Sequence, residues 1–337
     1  MVDGRVPEVQ VPSRVLSPGQ DPSSFVPVPG CPPGGASAPT DAARLRSLAD
    51  APASAGPVLL LAAHPDDEII GAGVLLQRGA DVTVAHVTDG APRAPADARA
   101  AGFTRREDYA AARRRERAAA LALCGIEPAR QRDLGVADQE ASLDLAALAH
   151  AVLALLRDVR PALLLTHAYE GGHPDHDATA FAAHAACALA GTAPRRPASP
   201  TLVEFTSYHA AGAHAPRGEG DAGGIALGRF LPGVDDTRAV GPMSADPMRR
   251  ELVLQPTPDE RAVRERMLDA HASQARTVAP FRESGVERLR LAPRYRFTAP
   301  PHAGRLYYEQ FDWGMTGPRW RALAREALAR LGLEEPL

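Results

Sequence analysis

The strongest constraint on the fold is a pair of short, uninterrupted apolar segments, VLLLAA at residues 58–63 and ALLLTH at residues 162–167. Runs of this length without polar alternation are typical of strands buried on both faces of a parallel sheet. Segments with helical periodicity follow each of them, and a further strand is predicted at residues 81–88. Strands that alternate with helices predict an α/β fold, with a mostly parallel, doubly wound sheet and helices on both faces.

Other segments carry further helix and strand patterns. We predict helices at 41–51, 69–78, 104–123, 143–157, 175–189, 257–273 and 319–331, and further strands at 131–136 and 201–209. Thr104 with Glu107, and Thr257 with Glu260, have the spacing of a capping box at a helix start. Residues 210–250 are rich in Gly, Pro and Asp, so we predict a long irregular loop there.

Composition excludes several classes of function. All 38 basic residues are arginine, and the absence of lysine rules out Schiff-base catalysis, pyridoxal phosphate chemistry and a P-loop. The formal charge of −3 gives no reason to expect binding to nucleic acid or to an anionic membrane. The three cysteines are scattered, the N-terminus has no secretory pattern, and no apolar stretch is long enough to span a membrane. We therefore expect a cytoplasmic protein.

Three parts of the chain differ in character. Residues 1–45 are rich in proline, and we interpret them as an arm that precedes the folded part. Residues 46–280 contain most of the strand and helix patterns and are predicted to form the main domain. Residues 281–337 are predicted to be an extension packed on it. We interpret four aromatic residues of this extension as docking contacts: Tyr307, Tyr308, Trp313 and Trp320.

Two motifs of similar composition lie at the ends of the two apolar strands. AHPDDE spans residues 63–68 and GGHPDH spans residues 171–176. Open α/β sheets bind ligands beyond the carboxyl ends of their strands, so the fold would bring the two motifs together. A catalytic zinc site uses three protein ligands, drawn from imidazole nitrogens and carboxylate oxygens, plus water. His64, Asp67 and His176 would supply such a set.

Three other polar residues of the motifs would be left for acid–base work: Asp66, His173 and Asp175. A purely structural zinc site closes all four positions and needs no such surplus. The alternative is that each H-P-D segment is a helix cap, whose aspartate accepts backbone N–H groups. Two such segments at equivalent places in one sheet favour the metal site.

The two motifs, in this order and at the ends of buried strands, resemble the LmbE-like or PIG-L family of zinc-dependent N-deacetylases, which act on N-acetylglucosaminyl compounds. The family's Rossmann-like sheet agrees with the α/β prediction. Weaker matches follow in the same order: Thr88-Asp89-Gly90, Arg113-x-x-Glu116, Leu134-Gly135, Asp138-Gln139 and His271-Ala272-Ser273-Gln274. The resemblance covers residues 57–275, so residues 46–280 would be an LmbE-like catalytic domain.

The resemblance also implies a role for each motif residue. The family's zinc ligands match three of them: His64, Asp67 and His176. Asp66 matches the general base, which takes the proton of the zinc-bound water as that water attacks the acetyl carbonyl. His173 matches the group that faces the developing oxyanion and the leaving amine, and it would stabilise the oxyanion if protonated. Asp175 would orient a neighbouring histidine.

The partner implied is a small amino-sugar conjugate that loses an N-acetyl or other N-acyl group. Two alternatives stay open: an amide hydrolase acting on an acylated amine that is not a sugar, and a non-catalytic zinc-binding protein of the same fold. Two histidines and one aspartate also accept other divalent first-row metals. Arg93, near the end of the second strand, is a candidate for binding an anionic part of the substrate. A homo-oligomer is compatible with the sequence.

Overall fold

The computed structural model describes residues 39–192, 199–210, 225–231, 251–283 and 285–337. Pro39–Leu337 belong to one compact unit. The predicted arm up to residue 38, and most of the predicted loop at 210–250, lie outside the described residues. Within the described part, none of the helices has the length and apolar character that crossing a bilayer requires.

Helices and strands alternate along most of this chain. The strands are β1 (Val58–Ala62), β2 (Val82–Pro92), β3 (Gln131–Asp138), β4 (Leu163–His167), β5 (Thr201–Phe205), β6 (Tyr208–Ala210), β7 (Ile225–Leu227), β8 (Glu251–Leu254) and β9 (Glu287–Leu291). The helices are α1 (Asp41–Asp50), α2 (Asp67–Ala72), α3 (Pro95–Ala100), α4 (Arg106–Ala122), α5 (Leu145–Val159), α6 (Pro174–Thr192), α7 (Pro258–Ala270), α8 (Ala275–Val278) and α9 (Gly317–Leu331). The segment predicted as one helix at 69–78 is α2 followed by a 3-10 helix, Leu75–Arg78.

Seven of the described strands form one sheet, in the order β3-β2-β1-β4-β5-β9-β8. The strands from β3 to β5 in this order are parallel, β9 pairs antiparallel with β5, and β8 pairs antiparallel with β9. Val58 of β1 lies opposite Leu163 of β4, so these two strands are direct neighbours. The sheet grows outward from this pair in both directions. The pair is therefore the switch point at which doubly wound sheets bind ligands.

The uninterrupted apolar sequence of β1 is explained by burial on both faces of the sheet. Leu59 and Leu61 pack in one core with side chains of α5, α6 and α9. Val58, Leu60 and Ala62 pack in a second core with side chains of α1, α2 and α7. All five side chains are 0% exposed. The predicted α/β architecture, with helices on both faces of a mostly parallel sheet, is confirmed.

One of the two predicted capping boxes is wrong. α4 begins at Arg106, and its N-cap is Arg105, whose side chain makes no capping hydrogen bond. Arg106 donates from Nε to Ala91 O at 3.0 Å and from Nη2 to Asp89 Oδ2 at 2.6 Å. These contacts tie the helix start to β2, two residues beyond the predicted cap at Thr104.

The second half of the fold departs further from the sequence prediction. The strand predicted at 201–209 is two strands, because β6 leaves the main sheet and pairs antiparallel with β7. β8 and β9 were not predicted at all. β9 lies between β5 and β8, so part of residues 281–337 is hydrogen-bonded within the main sheet. The domain boundaries at 45/46 and 280/281 stay a prediction.

Candidate metal and catalytic site

The two predicted motifs lie side by side at the carboxyl ends of β1 and β4. AHPDDE leads from β1 into α2, and GGHPDH leads from the loop after β4 into α6. Because β1 and β4 are neighbouring parallel strands, both turns open at the same edge of the sheet. The six predicted site residues in these motifs are between 0% and 8% exposed. The predicted meeting of the two motifs is therefore present in the fold.

Three of these side chains form a triangle of donor atoms, which we call the donor triangle. His64 Nδ1 lies 3.1 Å from Asp67 Oδ2, and His176 Nε2 lies 3.3 Å from Asp67 Oδ1. The two imidazole nitrogens lie 3.3 Å from each other. Ligands held at about 2.0–2.2 Å in a tetrahedron lie about 3.3–3.6 Å apart, so the spacing fits a zinc ion with a fourth position left for water. Burial lowers the pKa of His176 to about 3, which keeps its ring in the neutral form that binds metals.

Two carboxylates lie close to His64 on the side away from the donor triangle. Its Nε2 lies 3.1 Å from Asp138 Oδ1 and 3.4 Å from Asp175 Oδ2. Although burial opposes the shift, the carboxylates, led by Asp138, raise the pKa of His64 well above its usual value. A metal-binding histidine commonly gives its second N–H to a carboxylate, which fixes the tautomer and directs the first nitrogen to the ion. Asp138 and Asp175 are placed for that task.

Several metal-ligating side chains surround the donor triangle. The described residues contain three overlapping groups whose donor atoms lie within 4.8 Å of one another: His64, His173 and His176; Asp67, His167 and His176; His64, Asp138 and Asp175. In the second group, His167 Nε2 accepts the backbone N–H of Ala63 at 3.0 Å, so the lone pair of that nitrogen is already used. The members of the donor triangle, His64, Asp67 and His176, recur among these groups, and they come from both motifs.

Asp66 adjoins the donor triangle in a strained backbone conformation, with φ 135° and ψ −28°. Its N–H donates to Glu68 Oε2 at 3.0 Å, and Arg113 Nη2 donates to its Oδ2 at 3.1 Å and to Pro65 O at 2.6 Å. Burial raises the pKa of Asp66 to about 8, against the opposing effect of the Arg113 guanidinium. A cation bound at Asp67 would lower this pKa by Coulomb attraction. Strain that is held in place by such contacts is typical of functional residues.

His173 contacts the donor triangle from the second motif. Its ring centroid lies 4.5 Å from that of His64. Its Nδ1 accepts the backbone N–H of Asp175 at 3.1 Å, so the neutral ring carries its proton on Nε2. Burial lowers the pKa of His173 to about 3. The His173 ring is therefore a neutral hydrogen-bond donor at pH 7, and not the protonated form through which oxyanion stabilisation was expected from the family resemblance.

Asp175 is held by hydrogen bonds from the backbone that follows β3. Its carboxylate accepts the N–H of Gln139 at 2.6 Å and the N–H of Ala141 at 3.0 Å. These bonds connect α6 to the end of β3 and aim the carboxylate at His64. The histidine that its carboxylate faces is thus the one in the first motif, whereas its backbone N–H serves His173.

Arg93 forms an ion pair at the surface. Its Nε donates to Glu140 Oε1 at 2.6 Å, and its side chain is 70% exposed. Substrate binding by Arg93 stays a prediction. Two residues without a predicted role, Arg113 and Asp138, lie in direct contact with motif residues. The sequence signals that could have found them are the weaker matches Arg113-x-x-Glu116 and Asp138-Gln139.

The chain is similar in sequence to deacetylases. The model of the PIG-L family, GlcNAc-PI de-N-acetylase, matches residues 59–187. A 1D-myo-inositol 2-acetamido-2-deoxy-alpha-D-glucopyranoside deacetylase of Streptomyces avermitilis is 32% identical over 199 residues, which are 52% of this chain and 67% of the relative.

Solved structures of deacetylases are similar as well. The zinc-inhibited form of teicoplanin deacetylase Orf2 is 19% identical, with a TM-score of 0.46 over 69% of this chain and 97% of its own. N,N'-diacetylchitobiose deacetylase from Pyrococcus horikoshii is 24% identical, with a TM-score of 0.36 over 42% of this chain and 54% of its own.

Proposed function

Because the chain belongs to the PIG-L family, we propose that it is a zinc-dependent deacetylase that removes the N-acetyl group of an N-acetylglucosamine-type conjugate. The observation that carries the proposal is the donor triangle of His64, Asp67 and His176 with Asp66 beside it. The name of the Streptomyces relative, which describes a 2-acetamido-2-deoxyglucopyranoside as its substrate, supports the amino-sugar part.

Each residue has a distinct task in this proposal. The donor triangle holds zinc, which when bound polarises a carbonyl and lowers the pKa of water towards about 7. Asp66 accepts the proton of the attacking water, with its Oδ2 fixed by Arg113. His173 donates from Nε2 to the carbonyl oxygen as negative charge develops there. Since a ring with a pKa of about 3 does not hold a second proton at pH 7, Asp66 passes its proton to the departing amine. The products are acetate and a free amine.

The proposal is tested by acetate release from the purified protein after zinc loading. A panel of N-acetylglucosaminides is incubated with the wild type and with Asp66→Ala, and zinc content is measured on the same samples. We expect acetate from at least one glucosaminide, and a loss of about 10²- to 10⁴-fold in kcat in Asp66→Ala with zinc retained. Asp158→Ala, which changes an exposed carboxylate on α5, is the matched control and should keep full activity.

Two results would contradict parts of the proposal. Stoichiometric zinc without acetate from any glucosaminide would overturn the amino-sugar part and favour another amide substrate. Failure of the protein to bind zinc would overturn the ligand assignment. His176→Ala should abolish zinc binding. Its zinc content therefore tests the donor triangle independently of any activity measurement.

A further inference from the structure

A row of aromatic rings borders the candidate site. It consists of four side chains, Tyr208, Tyr307, Phe311 and Trp313, which we call the aromatic wall. Neighbouring ring centroids are 4.5–5.6 Å apart in the order His176, Tyr208, Tyr307, Phe311, Trp313 and His173. The wall therefore starts at one histidine of the second motif and returns to the other.

The wall differs from the other aromatic residues of the same segment. Tyr308 and Trp320 are each 1% exposed, and Trp320 donates from Nε1 to Pro174 O at 3.1 Å. Both residues pack in the core that contains Leu59 and Leu61, which is the docking role predicted for them from the sequence. Phe311, by contrast, is 38% exposed and stacks on Trp313 at an interplanar angle of 17°. Docking explains the buried pair and the inner part of Trp313, which packs against the core that contains Leu59 and Leu61. It does not explain Phe311, which is exposed and belongs to none of the cores.

The chemistry of the wall favours a flat, apolar ligand. Apart from the phenol hydroxyls of Tyr208 and Tyr307, its four side chains have no carboxylate, amide or guanidinium, which are the groups that commonly bind sugar hydroxyls. The nearby Glu309 is already used, because its two oxygens accept the N–H groups of Leu306 and Gly317 at 2.9 Å and 2.7 Å. An aromatic ring needs no such partner and gains from offset or edge contacts at 4.5–7 Å. Exposed apolar rings that adjoin a polar site are typical of ligand-binding surfaces.

We propose that the aromatic wall is a subsite for an aromatic aglycone, so that the favoured substrate is an aryl N-acetylglucosaminide. The inference rests on the proposed deacetylase function. Trp313 contacts His173 at 4.7 Å between ring centroids, so the subsite directly adjoins the groups that face the acetyl carbonyl. Tyr307, Phe311 and Trp313 lie outside residues 59–187, which the family model matches. Three of the four rings therefore come from the C-terminal part of the chain, beyond the residues that the family model matches.

The kinetic test compares glucosaminides that differ only in the aglycone. Acetate release by the zinc-loaded protein is measured with phenyl, cyclohexyl and methyl N-acetylglucosaminides and with a disaccharide, N,N'-diacetylchitobiose. We expect kcat/KM to be highest for the phenyl compound, with the advantage over methyl in KM. In Phe311→Ala, the phenyl-to-methyl ratio of kcat/KM should fall by about tenfold, and Phe311→Tyr should restore it. Leu143→Ala, at another exposed apolar residue (47% exposed), should leave the ratio unchanged.

Three outcomes would overturn the subsite. Equal kcat/KM for phenyl and methyl would remove the wall from substrate binding. Equal values for phenyl and cyclohexyl would make it a general apolar surface. The highest value for the disaccharide would assign the wall to a second sugar ring.

A binding measurement separates failure of the subsite from failure of the deacetylase function. Trp313 is one of two tryptophans, and the other, Trp320, is 1% exposed. The phenyl glucosaminide should therefore quench the fluorescence of the wild type, and this signal should vanish in Trp313→Phe. Quenching without acetate release would contradict the proposed function alone. Acetate release from the phenyl compound without quenching, and with an unchanged ratio in Phe311→Ala, would contradict the subsite alone.

Discussion

At the scale of single residues, Arg113 connects the turn after β1 to the end of β2 through three hydrogen bonds. Its Nη1 donates to Gly90 O at 2.8 Å, and its Nη2 donates to Pro65 O at 2.6 Å and to Asp66 Oδ2 at 3.1 Å. The planar guanidinium can serve all three acceptors at once, whereas a lysine ammonium is a single point charge. The strained turn at Asp66 therefore depends on an arginine at position 113.

We predict that Arg113→Lys lowers kcat by about 10- to 100-fold while the protein keeps its zinc. Losses of this size are typical when a residue that hydrogen-bonds to the residues of a metal site is replaced. Arg117 lies one turn further along α4 and pairs instead with Asp133. Arg117→Lys is the matched control, and it should lower thermal stability without a comparable loss of kcat. Equal losses of kcat in the two variants would show that Arg113 acts only on general stability.

Comparison of Arg113 with the motif residues shows which parts of the site can be predicted from the sequence. AHPDDE and GGHPDH are local patterns at strand ends, and the fold class alone brings them together. Arg113 and Asp138 reach the site from α4 and β3, and their contacts depend on how those elements pack. Spacing along the chain does not predict such contacts, and only the weaker motif matches at these two positions indicated that the residues matter. The aromatic wall is a further example, because its rings come from two distant segments.

At the scale of elements, the two predicted capping boxes had opposite outcomes. At the start of α7, Thr257 Oγ1 accepts the N–H of Glu260 at 3.2 Å, and Glu260 Oε2 accepts the N–H of Thr257 at 2.7 Å. The same pattern at Thr104 forms no cap, because Arg106 fixes the start of α4. A capping-box pattern fixes the first residue of a helix where no tertiary contact acts there, but a tertiary contact can place the start elsewhere.

We therefore predict different costs for the same substitution at the two threonines. Thr257→Ala should lower the free energy of unfolding by about 1 kcal/mol, the usual value of a lost N-cap. Thr104→Ala should change it by less than about 0.5 kcal/mol, since Thr104 is exposed and caps no helix. Urea unfolding of both variants checks this, and equal costs would contradict the observed start of α4.

Close packing of α2 on the sheet gives a second element-scale prediction. A Cβ at Gly71 would lie 2.2 Å from Phe205 Cδ2, whereas a Cβ at Gly191 in α6 would come no closer than 3.8 Å to Ser199 Oγ. Gly71→Ala should destabilise the protein by about 1–3 kcal/mol through overpacking. Gly191→Ala should be neutral or stabilising by up to about 1 kcal/mol, because alanine favours the helix. Thermal unfolding distinguishes the two, and a neutral Gly71→Ala would contradict the tight helix–sheet contact.

At the scale of the whole molecule, the parallel and antiparallel parts of the sheet are joined by buried charges. Glu204 of β5 lies opposite Arg290 of β9, and Arg290 Nε donates to Glu204 Oε2 at 2.9 Å. Glu170, in the loop after β4, accepts the N–H of Leu231 at 2.8 Å. β8 and β9 are short and contain charged residues, so they lack the apolar runs from which strands are predicted. The pair of Glu204 and Arg290 lies where β9 joins the main sheet, although β9 is beyond the predicted catalytic domain.

Glu170 makes this junction sensitive to pH. Burial raises its pKa from 4.5 to about 8, against the opposing effect of Arg290. Between these two pH values the folded protein keeps the proton that the unfolded chain has lost. The stabilisation that Glu170 provides is therefore complete below about pH 4.5 and is lost as the pH rises through 8. Between these values the free energy of unfolding falls by up to about 1.4 kcal/mol per pH unit.

Glu170→Gln should remove this slope, because the amide oxygen can still accept the N–H of Leu231 but the side chain no longer titrates. Urea unfolding at pH 5, 6.5 and 8 should show that the stability of the variant relative to the wild type increases with pH. Glu326→Gln, at an exposed position of α9, should run parallel to the wild type throughout. Parallel profiles for Glu170→Gln as well would mean that Glu170 is charged in the folded protein over this range. The electrostatic attraction of Arg290 would then outweigh the cost of burial, and Glu170 would be a third charged group at this junction, beside Glu204 and Arg290.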